Sequence, residues 1–143
     1  MGKTAMTAAG ALLALGAAFT GLAQAQAQTQ AKTVPVETGV NGASSVSLHL
    51  HPFLTAEELA TLRLVASNDQ ALSLFVTSRT GHAAMAMSPE EGFVRNGSPV
   101  PSAVALGDLP DAAAARNAAL AACDATRKAK APCVVVLEVA PSQ

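Results

Sequence analysis

Two histidines, His49 and His51, stand two residues apart. On a strand that spacing puts both imidazoles on one face, and a His-x-His pair on one face is a chelator for Zn²⁺ or Cu²⁺. His82 opens a second predicted strand and is the candidate third ligand. Met85 and Met87 follow on that strand, and thioethers suit Cu(I). The plainer reading leaves His49 and His51 on the solvent face opposite Leu48 and Leu50, with Met85 and Met87 filling gaps in the core.

Acid–base and nucleophilic chemistry have weaker support. Glu57 with Glu58 and Glu90 with Glu91 are adjacent carboxylates. Adjacent positions on a helix diverge, so neither pair makes an acid–base couple. No G-x-S-x-G elbow marks a serine among the many present, and no Gly-rich phosphate loop occurs. Arg116 is either an anchor for a carboxylate or an arginine whose stem covers apolar surface and whose head reaches a nearby acid. Arg127, Lys128 and Lys130 form a short basic loop of the kind that is ordinarily solvated. No catalytic residue and no cofactor is implied.

Cys123 and Cys133 are the only cysteines, and in an exported chain an even count reads as a disulfide. The chain-entropy model values closure of so short a loop at roughly 3 kcal/mol. A two-thiolate metal site would need two further ligands and a reducing compartment.

The N-terminus carries Lys3, then an apolar run from Ala5 to Phe19, then Ala23-Gln24-Ala25. A basic start, an apolar middle and an A-x-A ending predict a secretory signal peptide over residues 1–25; the competing reading is an uncleaved membrane anchor. Residues 26–44 are rich in Gln, Thr, Ala, Gly and Asn and read as a disordered leader. The rest, 45–143, is one domain's worth of chain. Without Lys3, eight basic residues face ten acidic ones. That balance, with no Trp or Tyr, offers neither the basic patch nor the stacking surface of a nucleic-acid binder. After signal cleavage no membrane association is expected.

Alternation of Val46, Leu48 and Leu50 predicts a strand over 45–51, ended by Pro52. Thr55-Ala56-Glu57-Glu58 is a capping box opening a helix. Residues 71–78 and 82–87 predict two more strands joined by a turn at Arg79-Thr80-Gly81, and 102–106 a short edge strand, with 95–101 irregular between them. An Ala-rich helix follows over about 109–127, capped by Asp108, and a last strand over 133–139. The order predicts an α+β fold: a ferredoxin-like β-α-β-β-α-β sandwich with two helices on one face of an antiparallel sheet.

Three segments, Ala86-Met87-Ser88-Pro89-Glu90-Glu91-Gly92, Ala114–Cys123 and Ala131-Pro132-Cys133-Val134-Val135-Val136, resemble a family of small exported alphaproteobacterial proteins of unknown function. Members often bear the label 5-aminolevulinate synthase. That chemistry needs pyridoxal phosphate on a lysine in a packed pocket, and the only lysines beyond the signal are Lys32, Lys128 and Lys130. Members also carry a Tyr pair before the strand at 82–87, where this chain has Arg79-Thr80-Gly81-His82. The resemblance implies fold, disulfide and export, and no activity.

The expected function is therefore a periplasmic or secreted, non-enzymatic domain that binds a protein or envelope partner. The alternative is a copper- or zinc-binding protein using His49, His51 and His82.

Overall fold

The structure, a computed structural model, describes residues 33–74, 76 and 80–142. The expected signal peptide lies outside the described residues, as do residues 26–32 of the expected leader.

The remainder of that leader is ordered. Val36–Asn41 is a strand, β1, joined by the two-residue turn Gly42-Ala43 to β2, Ser44–His49. Val36, Thr38 and Val40 alternate with Glu37 and Gly39, and that period of two continues across the turn into Val46 and Leu48. β2 leads into α1, Ala56–Ser67. Thr55 and Glu58 close the capping box from both sides: the Glu58 N–H donates to Thr55 Oγ1 at 3.2 Å, and the Thr55 N–H donates to Glu58 Oε2 at 3.1 Å.

The strand expected over 71–78 gives way to a short helix, α2, at Asp69–Ser73. Asn68 caps it by accepting the Ala71 N–H at 2.9 Å. Leu72, the buried residue of α2, enters the core from there. A local cap outweighed the β-propensity of a segment that has no strand beside it among the described residues. Residues 75 and 77–79 are outside the described set.

β3 is His82–Met87. The stretch expected to be irregular holds a small hairpin, β4 (Val94–Arg95) and β5 (Ser98–Pro99), turned by Asn96 and Gly97 with φ of 52° and 73°. Two positive φ values in a two-residue turn are the I′ geometry that Asn-Gly favours. β6 runs Val104–Leu109, α3 runs Ala112–Thr126, and β7 runs Val134–Pro141. Asp111, not Asp108, caps α3, accepting the Ala114 N–H at 2.8 Å. Asp108 sits instead where the β3–β6 register shifts, with φ of 60°. Gly81 passes so close that a Cβ there would stand 2.7 Å from Asp108 Cα.

The fold is α+β, with a five-stranded sheet in the order β1-β2-β7-β3-β6 and every pairing antiparallel. It has one strand more than the expected four. β2 and β3 are parallel to each other with β7 between them, and β7 and β6 are parallel with β3 between them, so two split β-α-β units interlock.

The helices do not share a face. Along β3, Ala83, Met85 and Met87 join Leu62 of α1 and Leu72 of α2 in one core, while Ala84 and Ala86 join Ala115, Ala119 and Cys123 of α3 in another. Alternate residues of a strand point to opposite faces, so α1 and α2 cover one face and α3 the other. Small residues on α3 and β3 bring that helix close to the sheet. Cys123 and Cys133 are bonded, with Cα atoms 6.1 Å apart, and tie the end of α3 to the start of β7.

Candidate functional site

α3 packs on β3, β6 and β7, and among the described residues no helix covers the β1–β2 half of that sheet face. Register places three rows of side chains on that open half: Val36 beside His49, Thr38 beside Ser47 and Glu138, and Val40 beside Ser45. The β1 residues are exposed, Val36 by 46% and Val40 by 74%. Those of β2 and Glu138 are half-buried. The result is a shelf with α3 as its wall.

Arg116 of α3 reaches onto the shelf, and its Nη1 donates to Glu138 Oε1 at 2.7 Å. His49 Nε2 contacts the other oxygen, Oε2, at 2.7 Å. An acceptor-only carboxylate fixes His49 Nε2 as the protonated nitrogen. One acid thus links β2, β7 and α3, and both its oxygens are engaged. A cavity of about 250 Å³ lies at the foot of the wall, lined by Ser45, Ser47, Ala112, Arg116 and Glu138. Hydroxyls, a guanidinium and two exposed valines make a surface that takes hydrogen bonds and apolar contact side by side.

The structure brings two of the three histidines together. The His49 and His51 rings lie with centroids 6.3 Å apart, and His51 stacks on Phe53 at 5.1 Å. His51 Nε2 donates to the Val135 carbonyl at 2.9 Å. With both Nε2 atoms engaged, only the Nδ1 atoms remain for a metal. His82 is not part of the group. It precedes Ala83, whose row runs through Val139 to Val46, so it sits toward the other end of the sheet, about 14 Å from His49 along the strand direction alone. Met85 and Met87 are buried in the core on the opposite face from Ala84 and cannot join a histidine cluster on the shelf. Among the described residues no three His, Cys, Asp or Glu side chains converge as a metal centre.

The remaining carboxylates hold loops. Glu58 is fully buried. Besides its cap it accepts the Phe93 N–H at 2.9 Å and the Val94 N–H at 3.4 Å, and it pairs with the Arg95 guanidinium. Burial alone would raise its pKa. The Thr55, Phe93 and Val94 N–H groups and the Arg95 charge outweigh burial and hold it below the ordinary carboxylate value. Glu91 is held low by the Ser102 hydroxyl and by the Ala129 and Lys128 N–H groups, each of which donates at 2.6 Å. Asp124 is held low by the Cys133 N–H at 3.0 Å and by Arg127. Arg127 also caps the basic loop, donating to the Ala129 and Lys130 carbonyls at 2.5 and 2.9 Å.

These three acids make folding pH-dependent. Their folded pKa values lie below the unfolded ones, so the unfolded chain binds more protons. The stability they add is complete above the ordinary carboxylate values of 4.5 and 3.8 and is lost as pH falls through the folded values. Urea midpoints should be level from pH 8 to 6 and fall steadily below about pH 4.5. Glu58→Gln should show a smaller fall over the same range.

Sequence reasoning found the cap of Glu58; it left Arg116 as either a carboxylate anchor or an arginine reaching an unnamed acid, and the acid it meets is Glu138. It missed the shelf, although the period-two run Val36, Thr38, Val40 was its signal. It missed the Glu58–Arg95 pair, for which a separation of 37 residues leaves no local mark. No protein-family model, curated protein or solved structure matches this chain.

Proposed function

We propose that the chain is an exported, non-enzymatic binding module whose contact surface is the shelf beside α3. The observation that carries this reading is the half-covered sheet face: α3 walls the face off on one side and leaves exposed valines next to Ser47, Glu138 and Arg116. An uncovered sheet face with apolar side chains and a polar rim is the pattern of a surface that a protein partner completes. The acids act as structural acceptors: Glu58, Glu91 and Asp124 anchor loops, and Glu138 is shared between Arg116 and His49. Export to the periplasm or beyond is supported by the disulfide, which persists in oxidising compartments, and by the N-terminal pattern. Membership of the exported alphaproteobacterial family rests on the three segments that resemble it.

Val40→Arg and Arg116→Glu place charge on the shelf without touching the core. Val40→Arg should leave the urea midpoint unchanged, Arg116→Glu should lower it slightly because it sets a carboxylate against Glu138, and each should weaken partner capture at least tenfold. Capture at full strength by both variants would remove the shelf from the account.

The second reading, copper or zinc binding, is favoured by the neighbouring His49 and His51 rings. Titration with Zn²⁺ and Cu²⁺ decides it. Submicromolar uptake lost in the His49→Ala/His51→Ala protein would make metal handling primary, and equal weak uptake by both proteins would end it.

A further inference from the structure

Among the described residues nothing pairs with the outer edge of β1. The Leu50 N–H donates to the Pro35 carbonyl at 2.8 Å, and antiparallel pairs alternate between bonded and non-bonded positions. Residues 35, 37, 39 and 41 therefore turn their backbone groups toward β2. Val36, Thr38 and Val40 turn theirs outward, and among the described residues no strand pairs with them. Folded proteins normally guard such an edge with lysine, proline or a bulge. The other edge, β6, has a guard: its register shift and Asp108. β1 has none. Its six residues, Val-Glu-Thr-Gly-Val-Asn, pair with β2 without interruption and hold neither lysine nor proline.

We infer that β1 pairs antiparallel with β1 of a second copy of this chain, about a two-fold axis at Thr38, to make a continuous ten-stranded sheet. The strand is self-complementary in that register. Thr38 meets Thr38, Val36 meets Val40, and Glu37 meets Gly39. All three outward-facing residues then fall in bonded pairs, so each copy's three free N–H groups meet the other's three free carbonyls. Thr–Thr and Val–Val are favourable cross-strand pairs.

Charge agrees with this register. The one charged residue of β1, Glu37, lies opposite a glycine rather than its own counterpart. Each Glu37 is already bound through both oxygens by Arg63, at 2.5 and 3.0 Å. Arg63 and Gly39 line the same groove between β1 and α1, so the carboxylate arriving over Gly39 meets a guanidinium. Two acids and two bases thus alternate across the axis. A register shifted to set Glu37 against Glu37 would oppose like charges on the axis.

The consequence bears on the proposed function, on which this part of the inference rests. An axis perpendicular to the sheet puts both shelves on the same side. They merge into one trough floored by β2, β1 and their mates and walled by the two α3 helices. Five strand spacings separate the two copies of β7, about 24 Å, room for a partner's helix or hairpin between the walls. A single copy provides one wall and half the floor.

The test uses the mature protein and three variants. Light scattering at tens of micromolar should give twice the chain mass. Thr38→Lys, which opposes two ammonium groups on the axis, should give the single mass with an unchanged circular dichroism spectrum and the urea midpoint of the unmodified chain diluted to its monomer. Thr38→Cys should form an intermolecular disulfide under mild oxidation, because bonded antiparallel partners stand about 5.5 Å apart at Cα. Val40→Cys should not, since its counterpart lies four residues along the strand, about 13 Å away. A single mass for the unmodified chain, or cross-linking at residue 40 in preference to 38, overturns the dimer. A monomer whose capture of a different protein is still lost in Arg116→Glu overturns the dimer while leaving the binding-module reading intact.

Discussion

Replacing Glu58 with Gln should lower the unfolding free energy by about 3 kcal/mol at pH 7, measured by urea titration. Glu58 is the fully buried acid at the first turn of α1, and four separate groups from two segments converge on its carboxylate. Gln keeps the size and one acceptor oxygen, but it turns an NH₂ toward groups that are themselves donors. The Arg95 guanidinium then loses its counter-charge, and part of the N-terminal cap goes with it. For a domain of this size a loss of that order is a large share of the whole stability. Among the described residues the 93–95 segment has no sheet partner beyond its own small hairpin, so it should also detach. Amide exchange at Phe93 and Val94 should rise well before α3 loosens. Gly92 tests the same lock from outside. It has φ of 69°, and a Cβ there would collide with the Glu58 carboxylate and the Arg95 guanidinium. Gly92→Ala should therefore mimic Glu58→Gln in both midpoint and exchange pattern. A loss below about 1 kcal/mol in both variants, the range of an ordinary surface change, would mean the pair does not hold the hairpin down.

Replacing both Cys123 and Cys133 with Ala should cost about 3 kcal/mol. The bond spans ten positions of sequence and closes the connection between α3 and β7. Both sulfurs are buried in the α3 core with Ala84, Ala86, Ala115 and Ala119. That core is built almost wholly from alanines, so its apolar area per residue is small and it depends more on the cross-link than the Leu- and Met-rich core opposite does. The Asp124 carboxylate, which accepts the Cys133 N–H, should hold the loop partly in place when the bond is gone. Asp124→Ala added to the double cysteine variant should therefore cost more than it does in the bonded protein. Equal midpoints for the oxidised protein and the double variant would place the stability of the α3 side elsewhere.

How legible the molecule was in its sequence varied with the range of the forces involved. α1 was readable because its signals are local: Thr55 and Glu58 are three residues apart and cap each other. α3 was readable from its alanines and β3 from its hydrophobic run, although the cap of α3 fell on Asp111 because Asp108 was needed at the register shift with β3. The disulfide followed from there being two cysteines. The segment at 71–74 was misread because β-propensity expresses itself only beside a partner strand, and Asn68 offered a helix cap first. β1 was misread because its Gly39 and Asn41 resembled a leader, while its alternating Val36, Thr38 and Val40 were the better guide. Placing the helices on one face failed for want of a long-range fact: β7, last in the chain, enters between β2 and β3. With β3 buried on both faces, helices on both sides are required. The candidate site shared this fate. Each of its residues is individually visible, but the shelf exists only because α3 stops short of β1 and β2.

The central claim is that the open sheet face beside α3 is where this protein meets its partner. The most direct test is site-specific photo-crosslinking in the cells that make it. A photoreactive side chain is placed in turn at Ser47, on the shelf, and at Ala121, an exposed position of α3. The account predicts a discrete heavier adduct from Ser47, abolished by Arg116→Glu, and none from Ala121. No adduct from the shelf, or the same adduct from both positions, would contradict it.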